Sequence, residues 1–339
     1  MGQESRPLDG KLHAGGQTAK QRHAELQLEL LQGRRQRRLR NVQADSRLTD
    51  LARLRGGEKI TELAKRFIIA LFDIILYNSG AIAQPLRLEG QDGGRVTTIN
   101  CDMGESFGLY RLGDDAGLMP HIDIANVACG FHASDFNHMR TTVRLAKAHG
   151  VAVGAHPSLP DLQGFGRREM KIGREELANC LVYQIGALKG FLDAEGMTLN
   201  HIKPHGALYG MAARLEDVAH AVCDAADIFH APLLGMAGTL HEKIYPARGH
   251  RFIAEFYADL DYSDDGGLII TREHEAKDAD IAASKCLRAI VEGKATSVGG
   301  RDVAVRAQTI CVHSDTPNAV AIAAAVRAAI KREPVRSQA

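Results

Sequence analysis

Hydrophobic residues in the later part of the chain occur in short runs, and each run is followed by polar residues beside a small one. The first three runs, with the ionisable residue that follows each, are 96–100 with Asp102, 122–128 with His132, and 151–155 with His156. Short apolar runs bounded by turn residues are typical of buried strands in a parallel sheet. Catalytic groups in such folds stand where strands end and loops begin. The pattern therefore predicts convergence on one pocket of Asp102, Glu105, Asn126, His132, Asp135 and His156.

Segments with hydrophobic residues at helical spacing alternate with the runs. They predict helices at 112–118, 135–149, 175–194, 216–226, 238–245, 278–292 and 318–331, and further strands at 199–203, 232–236, 252–257 and 309–313. Alternating strands and helices are the signature of βα units with a parallel sheet. About seven such units predict an α/β fold, an irregular (β/α) barrel. The sequence has no Gly-x-Gly-x-x-Gly after a strand and no P-loop motif, which argues against a dinucleotide-binding fold.

The first 95 residues are a different kind of sequence. Residues up to about 57 are rich in Gln, Arg and Gly, and this predicts a largely disordered, low-complexity basic extension. Hydrophobic residues at helical spacing predict an amphipathic helix at 59–77, followed by a linker. We therefore divide the chain into this extension, 1–95, and a barrel domain at 96–332. The basic run at 34–40 leaves a nucleic-acid role open, but a solvated tail is the interpretation we favour.

Composition narrows the class of protein. The net charge of the 339 residues is +1, which gives no general attraction to nucleic acid or anionic lipid. The six cysteines are scattered, so neither a disulfide framework nor a zinc knuckle is indicated. The best candidate for a membrane span, 67–77, is shorter than the roughly 18–20 residues required and contains Asp73. We expect a cytoplasmic protein with neither a membrane span nor a nucleic-acid partner.

Six residues at predicted strand ends are candidates for catalysis. Paired carboxylates such as Asp102 and Glu105 suit acid–base work or hold a cation, and Lys203 suits polarising a carbonyl or holding a phosphate or carboxylate. The predicted catalytic residues are Asp102, Glu105, His132, His156, Lys203 and His205. We assign water activation to Asp102, His132 or His156, and proton donation to His205. A mononuclear metal site of Asp102, His132 and His156 stays open as an alternative, although no His-x-x-x-His spacing supports it.

Further polar residues at strand ends and in one arginine-containing loop are candidates for substrate binding. Two guanidinium groups in a loop suit carboxylate or phosphate recognition. The candidates are Asn126, Asp135, Arg167, Arg168, Glu255, Asp259, His313 and Asp315.

Six phrases of the sequence resemble the LamB/YcsF family. They are Asn-Cys-Asp-Met-Gly-Glu-Ser-Phe-Gly at 100–108, Ala-Asn-Val-Ala-Cys-Gly-Phe-His-Ala-Ser-Asp at 125–135, Gly-Ala-His-Pro-Ser at 154–158, Asp-Leu-Gln-Gly-Phe-Gly-Arg-Arg at 161–168, Tyr-Gln-Ile-Gly-Ala-Leu at 183–188 and Lys-Pro-His-Gly-Ala-Leu-Tyr at 203–209. The resemblance covers roughly 96–332. It also adds Arg272, which matches an arginine of the family, to the binding candidates. The chain has Leu260 where the family often has arginine, and Ser314 where it often has glycine.

The resemblance implies a barrel related to the glycoside hydrolase and deacetylase barrels. It also implies ATP-dependent opening of 5-oxo-L-proline (pyroglutamate) to L-glutamate. The chain would act as one component of a 5-oxoprolinase, together with subunits B and C. ATP, with Mg²⁺, would be shared with those partners, since this sequence has no recognisable ATP motif. Fungal members of the family are linked to lactam utilisation.

Two other functions stay open. One is a metal-dependent hydrolase or deacetylase of a small amide or sugar, which would contain a stoichiometric divalent ion and need no ATP. The other is a non-catalytic subunit, which would bind the lactam without turning it over.

Overall fold

Ten strands lie in the part of the chain that the computed structural model describes, residues 97–271 and 274–332. They are β1 (Thr98–Met103), β2 (Ile124–Ala128), β3 (Ala152–His156), β4 (Leu233–Gly235), β5 (Phe252–Tyr257), β6 (Asp261–Tyr262), β7 (Leu268–Ile269), β8 (Lys294–Thr296), β9 (Asp302–Ala304) and β10 (Thr309–His313). Six of them form one parallel sheet in the order β3-β2-β1-β10-β5-β4. The other four form two short antiparallel pairs, β6 with β7 and β8 with β9, which the sequence analysis missed.

One residue joins the two edges of this sheet. The Ile202 amide donates to the Pro232 carbonyl at 2.9 Å, and the Ile202 carbonyl accepts from Leu234 at 3.1 Å. On its other side Ile202 bridges to Ala155 in β3. The six strands and this bridge make a ring of seven parallel segments, so the predicted irregular barrel is confirmed. The strand predicted at 199–203 is reduced to the bridge at Ile202.

Eight helices surround the sheet in the described part of the chain. They are α1 (Asp115–Leu118), α2 (Phe136–His149), α3 (Arg174–Ala194), α4 (Gly206–Arg214), α5 (Glu216–Phe229), α6 (Leu240–Ala247), α7 (Ala279–Glu292) and α8 (Ala319–Arg332). Their bounds agree with the predicted helices to within a few residues, except that α4 was not predicted and α1 begins three residues late. No helix among the described residues is long and apolar enough to cross a bilayer.

Alternation along β1 separates the core from the barrel interior. All six residues of the strand are buried, as expected for a parallel strand covered on both faces. Ile99, Cys101 and Met103 belong to the hydrophobic core. Asn100 and Asp102 lie on the opposite face and both accept a hydrogen bond from Asn126 of β2, at 2.8 Å each. The strand thus carries polar side chains into the ring.

Gly154 in β3 leaves space for a histidine inside the ring. A Cβ at this position would lie 2.1 Å from the ring of His201, whose Nε2 is 2.6 Å from Asn126 Oδ1. We expect Gly154→Ala to lower the free energy of unfolding by about 1–3 kcal/mol, because overpacking displaces the ring. A Cβ added at the exposed Gly190 of α3 would meet no atom within 4 Å beyond its own turn of helix, so Gly190→Ala should instead stabilise by about 0.5–1 kcal/mol. Urea denaturation measures both, and equal effects would contradict the packing argument.

Two of the predictions concern residues outside the described ranges. These are the extension at 1–95 with its amphipathic helix at 59–77, and Arg272.

Candidate active site

The carboxyl ends of the parallel strands bring the predicted catalytic residues together. Asp102 of β1 is the register partner of Asn126 in β2 and of His313 in β10. His156 is the last residue of β3, and Lys203 and His205 follow the bridge at Ile202. All six predicted catalytic residues are buried, and their side chains contact one another. The carboxyl ends of parallel strands all lie at one side of a barrel. Residues that end a strand or follow it in the sequence therefore meet there.

The Asp102 carboxylate and the Lys203 ammonium form the central ion pair. Asp102 Oδ1 accepts hydrogen bonds from Lys203 Nζ and Asn126 Nδ2, both at 2.8 Å. Lys203 Nζ also lies 3.0 Å from Glu255 Oε1. Burial alone would raise the pKa of Asp102, but the adjacent His156 side chain and the Lys203 ammonium hold it well below its usual value. Burial would likewise lower the pKa of Lys203, and the Asp102 charge raises it well above normal. Both groups are therefore ionised at neutral pH.

Glu105 has the opposite environment. Its pKa is raised well above the usual value, first by burial and then by the charges of Asp315 and Asp102. Glu105 Oε2 accepts a hydrogen bond from Ser314 Oγ at 2.9 Å, whereas Oε1 has no hydrogen-bond partner among the described residues. The two predicted carboxylates therefore occupy environments that push their pKa values apart, a pattern found where carboxylates have different roles.

Three imidazole rings pack between these carboxyl groups. The rings of His132 and His205 are stacked, 3.8 Å apart and 8° from parallel, while His156 stands perpendicular to His205. His156 Nδ1 lies 2.7 Å from the Lys203 carbonyl, and His205 Nε2 lies 2.9 Å from the Phe165 carbonyl. Burial lowers the pKa of His132 and of His205 well below the ordinary value, so these two rings are neutral.

The imidazole of His313 carries a positive charge at neutral pH. Its Nδ1 lies 2.9 Å from Asp259 Oδ1, and Asp259 Oδ2 accepts from the His313 amide and from Thr316 Oγ1. Burial alone would lower the pKa of His313, but the Asp259 carboxylate raises it to about 9. The opposite ring nitrogen, Nε2, lies 3.6 Å from Asp102 Oδ2. An ionised carboxylate and an imidazolium therefore stand side by side.

The raised pKa of His313 makes the stability of the protein depend on pH. Because the pKa of about 9 in the folded state exceeds the unfolded value of about 6.5, the stabilisation is complete below pH 6.5 and is lost as the pH rises through 9. We expect the loss of about 3 kcal/mol of unfolding free energy from this group. Urea denaturation of the wild type and of Asp259→Asn, from about pH 6 to about pH 10, isolates it. Equal slopes in the two proteins would contradict the assignment.

A pocket opens above this cluster. Its lining includes seven ionisable groups: Asp102, His156, Arg167, Lys203, His205, His274 and His313. It also includes five apolar or aromatic side chains: Tyr209, Tyr257, Leu260, Leu268 and Ile270. Leu260 thus stands in the pocket wall, where the family often has an arginine. Arg167 pairs with Asp315 at 2.8 Å and lies over the Phe165 ring, 4.9 Å from its centre. The lining suits a small ligand with one apolar face and an anionic group.

Three of the substrate-binding candidates lie away from the pocket lining. Asp135 caps α2 by accepting from the amides of Asn137 and His138. The Arg168 side chain is 60% exposed and pairs with Asp161. Asn126 stands behind Asp102 and orients it.

Other candidates lie beside the lining. Glu255 pairs with Lys203 and accepts a hydrogen bond from the Tyr257 hydroxyl at 2.8 Å. Asp259 and Asp315 hold His313 and Arg167 respectively.

Sequence reasoning missed several residues of the site. Asn100 lies two residues before Asp102, so the period of two in a strand was a usable signal. His274 lines the pocket and lies 3.3 Å from Asp315 Oδ1, but it is in an irregular segment with no such pattern. Tyr209 and Tyr257 are hydrophobic in any pattern analysis, and only the structure places their rings in the pocket.

Comparison with known proteins identifies relatives of this chain. Residues 97–339 match the model of the LamB/YcsF family. The A subunit of the 5-oxoprolinase of Bacillus licheniformis is 43% identical over 245 residues, which is 71% of this chain and 97% of that protein. The lactam utilization protein lamB of Emericella nidulans is 48% identical over 228 residues, 66% of this chain and 90% of that protein. The crystal structure of the lactam utilization protein from Thermus thermophilus is 44% identical, with a TM-score of 0.66 over 70% of this chain and 96% of that one.

Proposed function

This chain belongs to the LamB/YcsF family, and on that premise we propose that it opens the ring of 5-oxo-L-proline to give L-glutamate in an ATP-dependent reaction. Its relatives, named as the A subunit of 5-oxoprolinase and as lactam utilization protein, support a 5-oxoprolinase-related role as a lactam hydrolase. In the full proposal the chain acts as the A subunit of a 5-oxoprolinase, with subunits B and C as its partners.

The pairing of Asp102 with His313 is the observation that carries the proposal. Lactam hydrolysis needs a base to take a proton from water and an acid to give one to the departing nitrogen. Asp102 is an ionised carboxylate, His313 is protonated at neutral pH, and both line the pocket. We assign the base to Asp102 and the acid to His313. The sequence pointed to His205 as the donor, but the lowered pKa of His205 makes the neutral ring a poor acid.

Cations in the pocket wall suit the rest of the substrate. The carboxylate of 5-oxo-L-proline fits Arg167, whose guanidinium lines the pocket beside Asp315. The Lys203 ammonium also lines the pocket and suits the amide oxygen, or a phosphate attached to it. The apolar wall that includes Tyr209 and Tyr257 suits the methylene groups of the ring.

ATP has a definite chemical task in this proposal. The five-membered lactam is an unstrained amide, so its direct hydrolysis is slow. Transfer of the terminal phosphoryl group of ATP to the amide oxygen converts that oxygen into a good leaving group. Water then adds to the carbon, and the carbon–nitrogen bond breaks with protonation of the nitrogen, which leaves an acyl phosphate. A second water hydrolyses this acyl phosphate to the free carboxylate and phosphate. We assign the binding of ATP and Mg²⁺ to the partner subunits, since this chain carries no ATP motif.

Glutamate release from 5-oxo-L-proline tests the proposal. The chain is assayed alone and with subunits B and C, each with and without ATP. We expect release only when both ATP and partners are present, and a fall in kcat/KM as the pH rises through about 9, where His313 loses its proton. Release without ATP would establish an independent hydrolase instead. Binding of the lactam without release under any condition would establish a non-catalytic subunit.

A further inference from the structure

Three buried ligand atoms face one another beside the pocket. They belong to Glu105, His156 and His205, each of which offers one ligand atom within 4.8 Å of the others. Glu105 Oε1 is 3.7 Å and His156 Nε2 is 2.9 Å from His205 Nδ1. Ligand atoms about 2.0 Å from one tetrahedral ion are separated by roughly 3.3 Å, so these spacings match a single coordination sphere.

Hydrogen bonds on the far sides of the two rings decide where their lone pairs point. His156 Nδ1 and His205 Nε2 each lie within 2.9 Å of a backbone carbonyl, and a carbonyl oxygen only accepts. Each ring therefore donates its proton there, and a neutral imidazole has only one. The remaining nitrogens, His156 Nε2 and His205 Nδ1, face each other at 2.9 Å as two lone pairs. Lone pairs at that distance repel unless a cation lies between them.

We propose that Glu105 Oε1, His156 Nε2 and His205 Nδ1 bind one divalent transition-metal ion, with Zn²⁺ the best fit to two imidazoles and a carboxylate. Neighbouring groups form hydrogen bonds that hold these three side chains in position. Each imidazole donates to a carbonyl, and the second oxygen of Glu105 accepts from Ser314 at 2.9 Å. A bound cation also stabilises the ionised form of Glu105, which burial otherwise opposes.

The coordination sphere keeps one side open toward the pocket. His156 and His205 both line the pocket, and three protein ligands with an open fourth position are the arrangement of catalytic zinc sites. An ion there would supply Lewis-acid chemistry next to Asp102, which lies 3.1 Å from His156 Nε2.

His132 is excluded from this ligand set although its Nε2 is 3.4 Å from Glu105 Oε1. An ion bound by an imidazole lies near the plane of the ring. The rings of His132 and His205 are 8° from parallel and 3.8 Å apart, so one ion cannot lie in both planes. The set therefore shares only His156 with the one considered from the sequence.

Two other groups of potential metal ligands in the described part of the chain are weaker candidates for a metal site. In one, Asp259 and His313 already bond to each other at 2.9 Å. In the other, Asp102 and Cys311 are both occupied by the Lys203 ammonium. The rival explanation of the proposed site is a proton on His156 Nε2, which would bridge His156 to Asp102 and His205 without any metal.

Metal binding by the full-length, untagged protein separates the two explanations. Elemental analysis of the purified protein gives the metal content. Calorimetric titration of chelator-treated protein with ZnCl2 then gives affinity, and the visible spectrum of the CoCl2-loaded protein gives coordination geometry. We expect one ion per chain and the intense absorption of four-coordinate Co²⁺. Since even loss of a residue that orients a metal ligand costs about 10–100-fold in affinity, Glu105→Gln and His205→Asn should each cost at least about 100-fold.

His132→Asn is the matched control, because it alters a neighbouring buried imidazole that is not a ligand. It should leave Zn²⁺ affinity nearly unchanged. Loss of affinity as large as in Glu105→Gln would overturn the ligand assignment, and the absence of stoichiometric binding would establish the proton instead. Circular dichroism checks that each variant is folded, and Glu105→Gln carries the test if His205→Asn is not. None of these measurements involves the lactam, so a metal-binding protein that releases no glutamate would refute only the proposed function.

Discussion

Replacing Lys203 by methionine should lower the free energy of unfolding by about 3–5 kcal/mol, because the change leaves two buried carboxyl groups without their cation. Lys203 Nζ lies 2.8 Å from Asp102 and 3.0 Å from Glu255, and all three side chains are 3% exposed or less. Methionine fills most of the space of the lysine side chain. The lost free energy of unfolding therefore comes from the missing charge and not from a cavity. Guanidinium denaturation near pH 7 measures it.

The pH dependence of this effect provides a second readout. In the variant, protonation of Asp102 removes an uncompensated buried charge, so the difference from the wild type should shrink as the pH falls toward about 4. Lys189→Met is the matched control. Lys189 pairs with Asp193 on the surface of α3, where the two side chains are 44% and 60% exposed, and its removal should cost less than about 1 kcal/mol. Equal losses in the two variants would contradict the central role of the buried pair.

Replacing Asp102 by asparagine should reduce glutamate formation by a factor of about 10² to 10⁴ while the protein stays folded. Asparagine has the shape of aspartate and keeps an oxygen that accepts from Asn126 and Lys203. It has no carboxylate to take a proton from water. Lys203 retains Glu255 as a charged neighbour at 3.0 Å, which limits the cost to folding. Glutamate release with ATP and partner subunits measures the rate, and circular dichroism measures the fold.

Asp123→Asn is the control for this change. Asp123 accepts from the Ile99 amide and pairs with Arg327 at the amino ends of the strands, the opposite end of the barrel from Asp102. Its loss should leave the rate unchanged, because residues at that end of a barrel contribute to stability and not to chemistry. A fully active Asp102→Asn protein would remove Asp102 from the reaction.

The fold was largely predictable because both of its signals are local. Short apolar runs identified six strands of the ring, and helical spacing identified seven of the eight helices in the described residues. The exceptions have physical reasons. α4 contains Gly206 and Gly210, which weaken any helical prediction, yet five of its other residues are buried in the core. Ile202 pairs with two segments that are distant from it in the sequence. A local hydrophobic pattern does not show how many residues take part in such a pairing.

The convergence of the site was predictable for the same reason, but its electrostatics were not. Asp102, His156 and Lys203 follow predicted strands, and all three line the pocket. The pKa shifts depend on contacts between distant segments: the pKa of His313 is raised because Asp259 lies 2.9 Å away, and that of Glu105 is raised first by burial. Asp135 illustrates the limit of a motif, since a carboxylate before a helix serves equally as a cap.

Because β10 lies in the middle of the sheet, the site can form only late in the synthesis of the chain. β10 lies between β1 and β5, and its Thr309 pairs with Thr98, which is 211 residues away in sequence. At about 5–20 residues per second, a ribosome needs roughly 10–40 s to travel from one to the other. Until then β1 and β5 each present an unpaired edge, and Asp102 lacks its partner His313. The ring and the site can therefore be completed only when nearly all of the domain has left the ribosome.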